Sequence, residues 1–466
     1  MDVCILINQD NITKNIGEHA IVIGNSIAGL LAGRVLATHF KKVTIIEKTL
    51  INDDPYFIPR SSVPQGGGHH FILSKGTTII EKLFPKFEQT LKANGGHRED
   101  LINDVSYYRG GWMPRFPSNL FTYSISRPVL EHTIRTLLSE YQNVFFLYEK
   151  EVKGFLTNND RNSIVGVHIQ DTNNNEEVNI YGDLIVDASG RNTVAYNWLE
   201  ALGFKKPYKS EVNLNISYIS QAFRCPTSFH DKDWKSLRIS NNPPFSKKTG
   251  SLSRIENDKE GGEQLLVTLA GHHIQTPINS NEGFLDFARQ LDSPLLYEII
   301  KDAKPLGPCM PFKMQFARRF YYEDINVPLG FIAIGDALCT LNSINGQGIT
   351  MCAIEATILD TILANHTNSN YLANLKEKYF KEVGKVLNPI WYSGSIQECN
   401  YPEYNGKHPF GANFFNGYFA LIVKIARKNP KVFKKIVEVL NLEKSFITFF
   451  SPYILIQVVR NFFVKD

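Results

Sequence analysis

Apolar runs near the start of the chain predict a strand, a helix and a second strand. A short apolar run covers residues 20–23 and ends at Gly24, which is the pattern of a buried strand. Apolar residues then recur at helical spacing over 30–36, and a second apolar run at 43–46 is closed by Glu47. The length of this stretch is typical of a βαβ unit that binds half of a dinucleotide.

Helices and strands continue to alternate along the chain. Helices are predicted over 77–93 and over 127–141, where Pro128 stands in the first turn. Period-two alternation after about 210 predicts a separate, mainly antiparallel sheet. Residues after 370 are predicted to be helical, with a polar, aromatic insert near 391–410. The predicted strands are 144–147, 165–169, 179–181, 184–186, 213–222, 264–270 and 331–334, and a further helix is predicted at 348–363.

Composition and charge exclude several classes of protein. The 466 residues are 43% hydrophobic and 21% charged, which predicts a globular protein of two or three lobes. A net charge of +4 is too small for a nucleic-acid binder. The six cysteines are scattered, so we expect reduced thiols and no metal site. The N-terminus lacks a secretory signal pattern and the chain lacks a long apolar run, which predicts a cytoplasmic protein.

The first strand leads into a motif that reads G-x-S-x-A-G. Gly24 permits a tight turn, and the small Ser26 lets the backbone approach a pyrophosphate. Ala28 and Gly29 let the following helix pack closely and point its N-terminus at the phosphates. Glu47 lies 18 residues beyond Gly29, where a carboxylate accepts hydrogen bonds from a ribose. The alternative is a chance turn.

A second motif follows the predicted strand at 331–334. Gly335 and Asp336 come directly after it, and an Asp there suits sugar-like hydroxyls such as those of a ribityl chain. The loop 345–348 then opens a helix whose N–H groups suit the pyrimidine side of a flavin. The two motifs together predict one flavin nucleotide held between them; a glycine-rich helix start without a ligand is the alternative.

With these motifs the chain resembles the FAD-dependent monooxygenases of the p-hydroxybenzoate hydroxylase-like superfamily. The resemblance points to the bacterial branch that includes polyether epoxidases and relatives of squalene epoxidase. It covers about 18–460, and two departures from the branch are Ser343 in place of a proline and the glycines that precede His70. The W-x-W-x-I-P element of flavin halogenases is not in the sequence. The motifs are VIGNSIAGLLAGRVL…VTIIEK, VPQG…H, SRPVLEHTIR, LIVDASGRNTVAYNWLEALGF and GFIAIGDALCTLNSINGQG.

The resemblance implies an α/β fold. It consists of a Rossmann-like FAD-binding lobe of the glutathione-reductase type, an inserted and mainly antiparallel substrate lobe, and C-terminal helices. The expected FAD-binding domain is discontinuous and comprises 18–60, 95–205 and 310–370. The expected remainder is a flavin-proximal loop and helix at 61–94, a substrate domain at 206–309 and a helical region at 371–466.

The resemblance also implies the residues that bind FAD. The first glycine motif would contact the pyrophosphate, Glu47 the adenosine ribose and Val152 the adenine. Arg127 would meet the phosphate or ribose region, Asp187 would help to close the cofactor cleft, and Asp336 would bind the ribityl and pyrophosphate region. Gln65 and His70 are candidates for positioning substrate, with simple local hydrogen bonding as the alternative. The full implied set is Gly24, Ser26, Ala28, Gly29, Glu47, Lys48, Arg127, Val152, Asp187, Gly335, Asp336, Gly346, Gln347, Gly348 and Ile349.

The activity implied by the resemblance is hydroxylation or epoxidation of an apolar organic substrate, of the secondary-metabolite type, with O₂. In this family the reaction runs through a C4a-hydroperoxyflavin, and no catalytic side chain is obligatory. Reduction by NAD(P)H directly and supply of reduced FAD by a separate flavin reductase are both open. A dehydrogenase or reductase of the same fold and a non-catalytic nucleotide-binding protein are the alternatives.

The C-terminal segment is both basic and apolar. Residues 424–466 contain nine Lys and Arg against three Asp and Glu, which is a net charge of +6, and residues 446–464 are strongly apolar. One interpretation is a helical layer packed on the substrate lobe. The other is a peripheral membrane contact.

Overall fold

The structure is a computed structural model that describes residues 16–51, 54, 63–274, 280–365 and 371–463. The end of the expected FAD-binding segment 18–60, the first two residues of the flavin-proximal loop, and the N-terminal residues that lack a secretory signal pattern lie outside the described residues.

The strands of the described residues are β1 (Gly17–Ile23), β2 (Phe40–Ile46), β3 (His97–Asp100), β4 (Val105–Tyr108), β5 (Phe121–Ser124), β6 (Val144–Leu147), β7 (Lys150–Thr157), β8 (Ile164–Asp171), β9 (Glu177–Tyr181), β10 (Leu184–Asp187), β11 (Tyr208–Arg224), β12 (Ser236–Ile239), β13 (Lys248–Ile255), β14 (Gln264–His272), β15 (Pro305–Tyr321), β16 (Phe331–Ala333) and β17 (Cys339–Thr340). The helices are α1 (Ile27–His39), α2 (Ser74–Leu83), α3 (Phe87–Ala93), α4 (Arg127–Ser139), α5 (Ala195–Ala201), α6 (Thr227–His230), α7 (Asn281–Arg289), α8 (Leu295–Ile300), α9 (Gly348–Ala364), α10 (Tyr371–Glu398), α11 (Ala412–Ala426), α12 (Pro430–Leu440) and α13 (Pro452–Phe463).

A five-stranded parallel sheet forms the first layer, in the order β16-β10-β1-β2-β6. The predicted βαβ unit is confirmed as β1, α1 and β2. These strands read as almost continuous apolar runs because both faces of a parallel sheet are buried. Helices α1 and α9 pack on each other, and the antiparallel sheet β7-β8-β9 contacts β10.

A seven-stranded sheet forms the second lobe, in the order β17-β15-β11-β14-β13-β12-β4. Its pairs are antiparallel except β12 with β4, which confirms the predicted mainly antiparallel sheet. Alternate residues of β11 serve different cores: Leu214 and Ile216 pack with Met314, whereas Ile219 and Phe223 belong to the cluster that includes α7 and α8. Strand β4 precedes the substrate domain predicted at 206–309, and β15 crosses its C-terminal boundary.

Two prolines have opposite effects on the predicted helices. The helix predicted over 77–93 is two helices, α2 and α3, because Pro85 disfavours helical geometry at Phe84, which is extended. The insert predicted near 391–410 starts later, because α10 continues through Pro389 to Glu398. Buried contacts of Ile390 and Ile396 hold this part of the helix against the protein.

The C-terminal helices α11, α12 and α13 share a core with residues 101 and 102. Within the described part of the chain, none of the helices combines the length and the apolar character that crossing a bilayer requires.

Candidate functional site

The carboxyl ends of four neighbouring strands meet at one edge of the parallel sheet. Ile23 pairs with both Ile46 and Asp187, and Asp187 pairs with Ala333. The turns after these residues therefore share one edge, which is where open α/β sheets bind ligands. The sequence-predicted residues brought together there are Gly24, Glu47, Asp187 and Gly335.

The first glycine turn has no room for side chains. Gly24 has φ +106°, and a Cβ at this position would lie 2.5 Å from the carbonyl oxygen of Ala188. A Cβ on Gly29 would lie 1.8 Å from the carbonyl oxygen of Gly24. Because both positions exclude a side chain, α1 begins directly against the turn and its N-terminal N–H groups open at the sheet edge.

The second glycine turn packs against the first helix. Gly335 has φ +65°, and a Cβ there would lie 2.8 Å from Ala28 Cβ and 3.1 Å from Cys352 Sγ. Ala28 belongs to α1 and Cys352 to α9. The two turns that the sequence predicts to hold one cofactor therefore border the same cleft, although they are far apart in the chain.

Arg127 lies at the N-terminus of α1. Its Nη2 donates to Ser26 Oγ at 2.9 Å, and its Nε donates to Glu131 Oε1 at 2.9 Å. Ser26 Oγ donates to the same Glu131 oxygen at 2.5 Å. A cation and a helix N-terminus at one place suit a phosphate group. Sequence reasoning missed Glu131, whose only signal is its position one helical turn after Arg127.

The carboxylate of Glu47 follows β2 and is buried. It accepts hydrogen bonds from Asn25 N at 3.2 Å and from the backbone N and Oγ1 of Thr49 at 3.2 and 3.0 Å. Lys48 is exposed beside it. Lys150 N donates to Glu47 O at 3.1 Å, so β7, which carries the buried Val152, begins beside the end of β2.

Asp336 lies beside two arginines. Its Oδ2 is 3.6 Å from Arg191 Nη2, and its side chain is 30% exposed. Burial raises the pKa of Asp336, while the charges of Arg191 and Arg127 oppose that increase. Arg191 was not predicted as a site residue, although it lies four residues after Asp187 in the motif LIVDASGRNTVAYNWLEALGF.

Asp187 shapes the turn that carries Arg191. Its carboxylate accepts hydrogen bonds from the backbone N and Oγ of Ser189, at 3.0 and 2.5 Å, and from Thr193 Oγ1 at 2.6 Å. Burial raises the pKa of Asp187 and these hydrogen bonds oppose the increase. Because the carboxylate is hydrogen-bonded to Ser189 and Thr193, it holds the backbone of the turn that carries Arg191.

The loop before α9 presents open space at its last glycine. Gly346 has φ +65°, a backbone conformation that would be strained for a residue with a side chain. A Cβ on Gly348 would have no atom within 4 Å, so the N-terminus of α9 borders a space that a ligand can occupy. Gln347 and Ile349 are buried on either side of it.

The two adjacent histidines have different surroundings. His69 Nε2 lies 2.8 Å from Ser253 Oγ, so local hydrogen bonding describes this residue. His70 Nδ1 bonds the carbonyl oxygen of Gly68 at 2.9 Å, and burial together with Arg127 lowers the pKa of His70 to about 3. His70 is therefore neutral and near the arginines of the cleft. Gln65 contributes its carbonyl oxygen to Gly68 N, and its role stays a prediction.

A buried acid joins the loop before α9 to the end of α10, and sequence reasoning missed it. Asn342 Nδ2 donates to Glu398 Oε1 at 2.7 Å, while Asn342 Oδ1 accepts from Ile344 N at 3.0 Å. Glu398 is almost fully buried, and its Oε2 has no hydrogen-bond partner among the described residues. Burial raises the pKa of Glu398 to about 8. Tyr218 ties the same loop to the antiparallel sheet, since its hydroxyl lies 2.6 Å from Ser343 Oγ.

A cavity lies between the antiparallel sheet, α10 and this loop. Charged side chains are absent from its lining in the described part of the chain. Asn345 and Gln347 form its wall on the side of the loop. The apolar part of the lining includes Val212, Leu214, Ala317, Leu341, Ile390 and Trp391.

A separate cluster of Cys225, His230 and Glu263 has ligand atoms close enough for a metal ion. Arg254 Nη2 lies 2.9 Å from His230 Nδ1, and because a guanidinium can only donate, that nitrogen accepts. His230 Nε2 then carries the proton and donates to Glu263 Oε2 at 3.1 Å. The cluster therefore forms a hydrogen-bond network, and the prediction of no metal stays a prediction.

The donor set at the sheet edge fits the parts of FAD. Arg127, Arg191 and the N-terminus of α1 match a pyrophosphate in charge. The acceptor oxygens of Glu47 and Asp336 match ribose and ribityl hydroxyls, and the open space at Gly348 leaves room for a ring system.

No protein-family model matches the chain. Protein Rv3254 of Mycobacterium tuberculosis is 27% identical over 395 residues, which are 82% of this chain and 81% of that protein.

Three solved structures are similar to most of the chain. A flavoprotein/dehydrogenase from Cytophaga hutchinsonii superposes with a TM-score of 0.65 at 15% identity, covering 94% of this chain and 96% of its own. The flavin-dependent brominase Bmp2 gives 0.63 at 15% identity over 91% and 93%. PqsL of Pseudomonas aeruginosa, described as "a probable FAD-dependent monooxygenase", gives 0.57 at 12% identity over 82% and 97%. The chain therefore has the fold shared by FAD-dependent monooxygenases and flavin-dependent halogenases, and the predicted α/β fold class is confirmed.

Proposed function

We propose that this chain binds FAD and inserts one oxygen atom of O₂ into an apolar organic substrate, by hydroxylation or epoxidation. The observation that carries the proposal is the close approach of Gly335 to Ala28, because it brings the two glycine turns side by side at one edge of the parallel sheet. The fold of the chain, shared with FAD-dependent monooxygenases, supports the same proposal.

Each part of the cleft has a defined task in this proposal. Bound FAD supplies the redox chemistry, including the reaction of its reduced form with O₂. Arg127 and the N-terminus of α1 neutralise the pyrophosphate, Glu47 accepts from the adenosine ribose, and Asp336 accepts from the ribityl chain. The N–H groups at 346–349 stabilise the negative charge that develops on the reduced ring, aided by the positive end of α9.

The lining of the cavity beside the loop is compatible with an apolar substrate. Leu214, Leu341 and Trp391 are apolar, and the amides of Asn345 and Gln347 offer polar contacts at the end near the loop. The cavity itself has room for only about one water molecule, so an organic substrate would bind there only if the surrounding side chains moved apart.

Two routes could supply the electrons: direct reduction of the bound FAD by NAD(P)H, or delivery of reduced FAD by a separate flavin reductase. Anaerobic mixing of the protein with NADPH or NADH distinguishes these two routes. Bleaching of the bound flavin within the turnover time supports direct reduction, and no bleaching supports a separate reductase.

FAD binding is tested first, by titrating the apoprotein with FAD. We expect Asp336→Ala to lower FAD retention strongly, whereas Asp231→Ala, on an exposed turn of the other lobe, leaves it unchanged. A purified protein that is colourless and cannot be reconstituted with FAD would instead support a non-catalytic nucleotide-binding protein.

The oxygen reaction is tested by rapid mixing of the reduced protein with O₂. A transient near-ultraviolet absorbance that differs from both oxidised and reduced flavin supports oxygen insertion. Direct return to the oxidised spectrum supports a dehydrogenase or reductase of the same fold.

A further inference from the structure

The C-terminal helices carry a surface of large apolar side chains that no described part of the chain covers. Phe410 is 94% exposed and Ile447 is 77% exposed. Aromatic rings join α11 to the turn at 446–450, since Tyr418 stacks on both Phe414 and Phe450. The residues that we define as the C-terminal apolar surface are Phe410, Phe414, Ile447, Phe450, Leu455, Ile456 and Val459.

Helix α13 is apolar on both of its faces. Its inner residues, Ile454 and Val458, pack into the core of the C-terminal helices. Its outer residues, Leu455, Ile456 and Val459, are between 42% and 53% exposed. A helix that only packs on a globular protein has polar residues on its outer face. The apolar outer face therefore indicates a surface that meets an apolar partner.

Basic side chains border this surface. Phe414 is exposed in the first turn of α11. Lys428 is exposed just beyond the end of that helix, and Arg460 directly follows Val459 on α13. Residues 424–466 carry a net charge of +6, so a second copy of this chain would bring a like charge to the same face. An anionic partner fits this charge.

We propose that the C-terminal apolar surface docks onto an anionic lipid bilayer. Helix α13 and the turn Phe446–Phe450 lie in the interfacial region with their apolar side chains inserted, and Lys428 and Arg460 meet the lipid headgroups. Docking of this kind needs no helix that crosses the membrane. The proposal is independent of the proposed oxygen insertion, because none of its residues belongs to the cleft or the cavity.

The test is co-sedimentation of the full chain with sucrose-loaded vesicles. One preparation contains phosphatidylcholine alone, and the other contains equal parts of phosphatidylcholine and phosphatidylglycerol. An apolar variant carries Ile447→Ser, Leu455→Ser and Ile456→Ser, and a charge variant carries Lys428→Gln and Arg460→Gln. The matched control carries Phe245→Ser and Lys232→Gln, both exposed on the other lobe.

We expect the unmodified chain and the control to sediment with the anionic vesicles and to stay in solution with phosphatidylcholine alone. Each variant should bind the anionic vesicles about tenfold less. Added salt should also weaken the binding of the unmodified chain to these vesicles. Far-ultraviolet circular dichroism should be the same for all four proteins.

Two results would overturn the proposal. One is an unmodified chain that stays in solution with anionic vesicles, or variants that bind them as well as it does. The other is a dimer in light scattering that the apolar variant abolishes, without any vesicle binding, because the surface would then contact a second copy of the chain.

Discussion

Asn342 donates a hydrogen bond of 2.7 Å to Glu398, and through it the loop before α9 is tied to the last turn of α10. Glu398 is buried, and burial raises its pKa to about 8, while the bond from Asn342 opposes the increase. At neutral pH the carboxyl is therefore mainly protonated. The loop that would flank the isoalloxazine thus rests on a neutral acid that can lose its proton in mildly alkaline solution.

Glu398→Gln should flatten the pH dependence of stability. In the unmodified protein the folded state keeps the Glu398 proton from about pH 4.5, where the unfolded chain releases it, up to about pH 8. The free energy of unfolding therefore falls as pH rises through this window, by up to about 1.4 kcal/mol per pH unit. Glutamine keeps the acceptor for Asn342 and removes the titration. Chemical denaturation at several pH values measures the difference.

Glu260→Gln, on an exposed turn, is the control for this series and should follow the unmodified protein at every pH. Other buried acids such as Glu355 also titrate, so the informative quantity is the difference between Glu398→Gln and the unmodified protein. A difference that stays constant from pH 5 to pH 8 would contradict the assignment.

Gly348→Ala should weaken FAD binding without lowering the stability of the apoprotein. A Cβ at Gly348 meets no atom within 4 Å, and the residue begins α9, so the apoprotein should melt at the same temperature or slightly higher. If the isoalloxazine occupies the space beside Gly348, the affinity for FAD should fall by about tenfold or more, because the added methyl group overpacks that space. Scanning fluorimetry and calorimetric titration measure the two quantities.

Gly417→Ala on α11 is the matched substitution, since a Cβ there also meets no atom within 4 Å. It should change neither FAD affinity nor the cleft. Equal FAD affinities for both alanine variants would place the ring system away from Gly348.

Arg127→Gln should weaken FAD binding by about 10- to 100-fold, which is the range for loss of one charge-assisted hydrogen bond. The dependence of the affinity on salt should also decrease, because one of the cations facing the pyrophosphate is lost. Arg289→Gln, on the surface of the substrate lobe, should leave both quantities unchanged. The measurement is FAD titration at several ionic strengths, and an unaltered salt dependence would argue against a phosphate contact.

The parts of the cleft that lie on local sequence motifs could be predicted. Gly24 and Gly335 each follow an apolar strand, and a strand that ends in glycine at a sheet edge has few structural interpretations. The strand and helix assignments around them succeeded for the same reason. The prediction of one helix at 77–93 is wrong in one respect, because the chain forms two helices there. Pro85 in the sequence is sufficient to predict the break between them.

The groups that support the cleft from a distance could not be predicted. Glu131 and Glu398 stand on helices whose polar residues read as solvent-facing, and only tertiary packing buries them. Ser26 meets Glu131 across 105 residues and Asn342 meets Glu398 across 56. The apolar outer face of α13 was equally hidden, because the sequence shows that the segment is apolar and does not show which side is covered.

The central claim is that one FAD lies between the turn at Gly24 and the turn at Asp336. The most direct test is the electron density of FAD in a crystal of the reconstituted protein. We expect the pyrophosphate beside Arg127 and the N-terminus of α1, the ribityl chain at Asp336, and the ring system beside Gly348. FAD density at any other place would contradict this assignment. So would a crystal of the fully reconstituted protein in which the two turns leave no space for FAD between them.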